Sequence, residues 1–239
     1  MSDSCSNGNG TEAGTSTHST SNGNGNGNGN GNGHNDGTAI TSVARYSGTT
    51  EQELRSWLCC GGVDVAQYGL GTSKTVFELH EEVSKSESVL QAEDGVAVRI
   101  VNVLSLHVIN SAGHVLYEAE QVLPDGRSRY RNVPLSEKLI GEETWPDAVQ
   151  RAVREELSGA LPEGYQVTVF PDTFQMSTEY SQSMSFPGLL TKYVFHRVRA
   201  SVNGLPSTPF STREDRPTGH LTTHWVWREQ GSPATKSST

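Results

Sequence analysis

The residues with the clearest capacity for chemistry lie in "GEETWPDAVQRAVREELSG", Gly141 to Gly159. Arg151 precedes Glu155 by four residues, the spacing at which helical side chains pair, and the neighbours Glu155 and Glu156 point in directions roughly 100° apart on a helix. Two carboxylates near one edge of a helix can share a hard cation such as Mg²⁺, which takes oxygen ligands and keeps several waters. Ala152 stands where a further carboxylate would be sought. A second set lies upstream in "GRSRYRNVPLSEK", where Arg127, Arg129 and Arg131 alternate with Ser128, Tyr130 and Asn132 and lead toward Lys138. On a strand these arginines share one face. Such a row can grip the phosphates of a ligand; the commoner reason for it is a solvated hairpin strand whose charges guard a sheet edge.

Other chemical-looking stretches lose their force in detail. "GLGTSKT", Gly69 to Thr75, ends in Lys-Thr ahead of a helical pattern, but Ser73 and Tyr68 occupy the two positions where a phosphate-cradling loop needs glycine. "HEEVS" begins like a zinc helix at His80, yet Ser84 stands where the second histidine belongs. His107, His196 and His224 sit in strand patterns beside Val and Trp, where a hydrogen-bonded structural imidazole is expected. Trp225 and Trp227 alternate with polar neighbours and read as core.

The elements that must carry these groups are legible from periodicity. Thr144 and Asp147 have the spacing of a weak amino-terminal cap, and Ala148, Val149, Ala152, Val153 and Leu157 form one apolar stripe, which predicts a helix from about Pro146 to Leu157. Two short helices precede it: one after a Thr50/Glu53 capping box, with Leu54, Trp57 and Leu58 on its stripe and Gly61 and Gly62 closing it, and one in "SKTVFELHEEV" with Ser73 as its expected cap. From Val96 the Val- and Ile-rich texture, broken at "NSAGH" and "PDG", predicts three hairpin-connected strands. "YQVTVF", "TKYVFHRVRASV" and "HLTTHWVWRE" supply three more after the central helix. Strands on both sides of one helix predict an α+β layered domain, not a doubly wound parallel sheet.

Composition sets the remaining bounds. Met1 to about Gly37 is almost wholly Ser, Asn, Gly and Thr, with Asn-Gly alternation from Asn22 to Gly33, and has no apolar face to offset the entropy of ordering. The expected organisation is a disordered tail over 1–44, a helical extension over 45–92, the main domain over 93–230 and a disordered end over 231–239. The tail holds Asp3, Glu12 and Asp36 and no Lys or Arg, unlike a transit peptide, and nothing near the start resembles a secretory apolar region. Three cysteines, two of them adjacent, give neither a zinc pattern nor a disulfide framework. A cytoplasmic protein is expected, with the nucleus as the alternative compartment, and no membrane partner. The formal net charge of −9 falls to about −6 without the tail acids, and an acidic surface repels nucleic acid polymers.

"EKLIGEETWPDAVQRAVREELS" resembles the signature of the Nudix hydrolases, Gx5Ex7REUxEExGU with U aliphatic. Glu143 falls on the first glutamate, Arg151 on the arginine, Val153 on the aliphatic position and Glu155 with Glu156 on the paired glutamates. Ala152 replaces the glutamate that the family uses as a metal ligand, and Glu137 and Ser158 replace the two glycines. "LPDGRSRYRNVPLSEKLIGEE", "SFPGLLTKYVFHRVRA" and "HWVWRE" together resemble uncharacterised Nudix-like proteins of plants and algae. The resemblance implies a mixed β-sheet sandwiched between helices. It implies Mg²⁺, with Mn²⁺ as the alternative, at Glu143, Glu155 and Glu156; catalytic roles for Arg151, Glu155 and Glu156; and a phosphorylated or nucleotide-like ligand held by Arg129, Arg131 and Lys138. Glu137 or Glu142 are candidate replacement carboxylates, and Glu179 and Glu214 candidate loop acids. Loss of one ligand weakens metal binding and removes a general base, so the expectation is a weakly active or inactive relative of these hydrolases that has kept a binding pocket. An active diphosphate hydrolase and a protein-interaction scaffold, with a protein partner or a second copy, are the alternatives.

Overall fold

The computed structural model describes residues 44–216 and 219–229; the predicted disordered tail and the last ten residues lie outside the described residues, apart from the tail's final residue, Ala44. Two capped helices come first. After the two-residue strand β1 (Ala44–Arg45), helix α1 (Glu51–Cys60) starts on Thr50, whose hydroxyl accepts from Glu53 N while the Glu53 carboxylate accepts from Thr50 N, the reciprocal box read from the sequence. Gly61 ends it, and a Cβ there would lie 2.5 Å from that of Ala97, so only glycine lets the helix end approach the sheet. Helix α2 (Val76–Ser84) begins on Thr75 with Glu78, not on Ser73. The Ser73 hydroxyl instead donates within the preceding turn to the carbonyls of Gln67 and Leu70.

The sheet is mixed and mostly antiparallel. Strands β2 (Val89–Glu93), β3 (Val96–Val108), β4 (Val115–Val122), β5 (Ser128–Lys138), β6 (Val167–Gln182), β7 (Leu190–Val202), β8 (Phe210–Arg216) and β9 (Gly219–Arg228) join β1 in the order β1-β2-β3-β5-β4-β9-β8. β7 runs parallel to β3 on its other side and carries β6 antiparallel. β2 and β8 were not foreseen. β2 is five residues of mixed polarity, and β8, "FSTREDR", is polar and pairs with β9, where its partner strand overrides weak propensity. The expected hairpin between β3 and β4 reduces to one bridge, Ile109 to Val115, because β3 pairs instead with β5.

β5 is the strand that shapes the molecule. Its end, Leu135 to Lys138, pairs with β3, whereas Ser128 to Pro134 pairs with β4. Among the described residues the arginine-bearing part of β5 therefore pairs on one side only, and Arg129 and Arg131 are exposed along that edge, which is where the hairpin reading put them; Arg127 precedes the strand and pairs with Asp125 in the turn.

Helix α3 (Trp145–Ala152) follows β5 and passes into a π-helical turn, Val153–Leu157. The wider turn keeps Leu157 in line with Ala148 and Ala152, so one apolar stripe continues into the core formed with Leu104, Leu106, Val108 and Trp225. A second core joins α1 and α2 to Leu90, Ala97, Phe186 and Leu189. All described residues belong to one compact unit, and no helix among them is long and apolar enough to cross a membrane.

Candidate functional site

A cleft of about 830 Å³ opens where β5 leaves β3. Its walls draw on several elements: Lys74, Glu82 and Glu87 from α2 and its flanks, Arg99, Val101 and Val103 from β3, Glu118 and Gln121 from β4, Arg129 and Arg131 from β5, Tyr193 and Phe195 from β7, and Glu156 from the π turn. Tyr193 and Phe195 stack on each other with centroids 5.9 Å apart.

Beside the cleft, Arg151 gathers the acidic residues of the helix. Its Nε and Nη2 donate to the two oxygens of Glu143 at 2.8 and 2.9 Å, and its Nη1 donates to Glu155 at 2.9 Å and lies 4.0 Å from Glu137. Nη2 also donates to the carbonyl of Lys138, which fixes the helix to the end of β5. The bidentate pair holds the Glu143 carboxyl below its ordinary range, and the same hydrogen bonds raise Arg151, which stays charged. Burial pushes Glu137 the other way, above the usual carboxylate range, despite a hydrogen bond from Lys138 N and the nearby Arg151.

Lys138 is one of the residues proposed to hold ligand, and its ammonium is engaged elsewhere. It donates to Glu82 at 2.7 Å and to Glu87 at 3.0 Å, while Arg99 binds Glu82 at 2.6 Å from a position almost without exposure. Burial alone would raise Glu82, but Arg99 and Lys138 more than offset it and keep the carboxylate ionised. This network ties α2 to β3 and β5, so the helical extension forms part of the cleft wall.

Arg129 and Arg131 do line the cleft, and local irregularity explains how. Between Glu118 and Glu120, β4 has one residue more than β9 and one fewer than β5, where Asn132 takes a φ of 52°. Such bulges re-aim side chains. Here Glu118 and Gln121 both become buried on the cleft side, with Arg129 Nε donating to Gln121 at 2.6 Å and Arg131 Nε 3.3 Å from Glu118 Oε1.

No protein-family model and no curated protein matches this chain.

The remaining candidates are dispersed. Ala152 has no exposure and sits in the core among α3, β3 and Trp225, so it is not a gap in the cleft lining. Glu142 is exposed and does not line the cleft. Glu179 lies on β6, not in a loop, lines the cleft and faces Arg197 at 3.4 Å; Glu214 lies on β8 outside it. His196 bonds Asn102, His224 bonds Ser211, and Trp225 donates to Thr212 from the core, as structural residues do. Among the described residues no group of three His, Cys, Asp or Glu side chains forms a metal-binding cluster. Glu143 gives both oxygens to Arg151 and Glu155 gives one; of the helix's carboxylates Glu156 lines the cleft, as does Glu137 on β5. That set does not fit a three-carboxylate cation site.

Sequence reasoning missed Glu82, Arg99, Glu118 and Gln121. Arg99 did carry a signal, since a single charge inside "VAVRIV" must find a buried partner. Glu118 carried none, because the bulge that turns it inward has no local marker.

Proposed function

We propose that this protein is a diverged Nudix-type module, weakly active or inactive as a Mg²⁺-dependent hydrolase, whose cleft binds a phosphorylated, nucleotide-like ligand. The observation that carries this reading is the pairing around Arg151. The guanidinium is the counter-ion of Glu143 and Glu155, and the position after it belongs to the core, so the helix offers the cleft Glu156 alone. A hydrolase working through a divalent cation needs several converging oxygens to position the ion and activate water. Binding needs less: cationic side chains for phosphate, supplied by Arg129, Arg131 and Lys74, and a partly apolar wall, supplied by Tyr193, Phe195 and Val103.

Mg²⁺ or Mn²⁺ is on this account a weak, dispensable partner held near Glu155 and Glu156. The test is calorimetric titration of the full chain with a panel of nucleoside diphosphates and inorganic pyrophosphate, with Mg²⁺ and with chelator, beside a phosphate-release assay. Binding that changes little with Mg²⁺, accompanied by slow or no release, is the expected result. Turnover above about 1 s⁻¹, the low end for ordinary enzymes, with binding that requires Mg²⁺, overturns it.

A further inference from the structure

Glu118 is the buried group in the cleft that the preceding account leaves without a task. It has about 4% of its surface exposed, and its Oε1 accepts no hydrogen bond among the described residues. The contact with Arg131 Nε at 3.3 Å is an ion pair without hydrogen-bond alignment. Of the buried side-chain atoms lacking a partner among the described residues, it is the one that lines the cleft. A buried acceptor left unpaired costs stability, so a carboxylate kept in this condition points to a partner that arrives from outside.

The surroundings define that partner. Glu118 stands in a cross-strand row between Val133 on β5 and the buried Trp225 on β9, and the half-buried rings of Tyr193 and Phe195 on the cleft wall give a flat apolar group surface to lie against. Arg129 and Arg131 flank it, and a cationic amine would meet two like charges there. A neutral N–H donor meets no such repulsion. A carboxylate has two oxygens side by side, the complement of two adjacent N–H donors in one plane. Burial raises the Glu118 carboxyl above its ordinary range, and the two arginines offset that only in part.

We infer that Glu118 is a specificity residue, and that the cleft selects a ligand whose ring edge carries an amino group beside a ring N–H, as in guanine- or pterin-type heterocycles. This rests on the cleft being a binding site for a phosphorylated ligand; it does not depend on hydrolysis. Arg131 plays two parts in it, as the ion-pair partner that holds Glu118 in place and as a phosphate contact.

The test is titration of the full-length protein with GDP, IDP and XDP, which share ribose and diphosphate and carry an amino group, a hydrogen and a carbonyl at ring position 2, with inorganic pyrophosphate as the ring-free probe. GDP is expected to bind about ten-fold more tightly than IDP, because a hydrogen bond to a charged group contributes about that factor, and XDP most weakly. Glu118→Gln should bring the GDP-to-IDP ratio close to one; since Arg131 loses its ion-pair partner, any change in phosphate affinity falls equally on GDP and IDP and cancels in that ratio. The wild-type series needs no variant, so a folding defect cannot hide the answer. Equal binding of the three nucleotides, or an undiminished ratio in a folded Glu118→Gln variant, overturns the inference and leaves the cleft's phosphate role standing. Pyrophosphate binding without nucleotide binding also overturns it. If neither pyrophosphate nor any nucleotide binds, the inference and the proposed function fall together.

Discussion

Restoring a glutamate at position 152 separates two views of the alanine. If Ala152 were an empty ligand position, Ala152→Glu would rebuild the carboxylate cluster at little cost. The structure gives a different expectation, since Ala152 is fully buried and packs with Val149, Val153, Leu104 and Trp225. A longer side chain must displace close-packed neighbours, at about 1–3 kcal/mol. Placing its carboxyl in an apolar environment adds about 1–3 kcal/mol by the scale of protein mutations. The sum, about 2–6 kcal/mol, is a large part of the 5–15 kcal/mol that holds an ordinary domain together. Burial raises the folded-state pKa of the introduced carboxyl above its unfolded value, so the electrostatic part of the loss is present at neutral pH. That part disappears as pH falls below the unfolded value of about 4.3, and the steric cost and the desolvation of the neutral carboxyl remain. Urea unfolding at neutral and acid pH measures both. A variant as stable as the wild type at pH 7 that also gains stoichiometric Mg²⁺ binding would refute the assignment of Ala152 to the core.

Further expectations follow from the charge networks. Glu82→Gln leaves the buried Arg99 guanidinium without its counter-charge and should destabilise by about 3 kcal/mol in denaturant unfolding, whereas Glu118→Gln, which removes an acid already disfavoured by burial, should melt no lower than wild type. Glu82 and Glu143 both have lowered folded-state pKa values, so their contribution is complete above the unfolded value of about 4.3 and is lost as pH falls through the folded values; acid unfolding should begin below about pH 4, and Arg151→Met should remove the Glu143 share of that dependence. Arg129→Ala should weaken pyrophosphate binding about five- to ten-fold, read by calorimetry, and should lower the melting temperature because buried Gln121 loses its donor.

Local signals carried the parts of the fold that are locally determined. The Thr50/Glu53 box, the apolar stripe of α3 and the alternation of β7 and β9 each state their own structure, and each appears where periodicity placed it. The cap of α2 moved two residues because Ser73 and Thr75 are both competent and Glu78 has capping-box spacing only from Thr75. β8 was silent because its polar residues carry no strand pattern of their own and its hydrogen-bond partner is another strand, β9. The site divided in the same way. The pair Arg151–Glu155 was legible from spacing, since four residues on a helix fix contact, whereas Glu143, ahead of the helix, was singled out only by the resemblance. The engagement of Lys138 by Glu82 and Glu87, more than fifty residues away, was not. Nor was the inward turn of Glu118, which depends on strands of unequal length on either side of it.

The most direct test of the central claim is one titration of the full chain with GDP, performed in chelator and again in excess Mg²⁺, with phosphate release followed in the same samples. Saturable binding whose affinity differs less than about ten-fold between the two conditions, with release absent or far below 1 s⁻¹, is what a cleft that binds without a three-carboxylate cation site predicts. Binding seen only with Mg²⁺ and followed by steady release at ordinary enzymatic rates would contradict it.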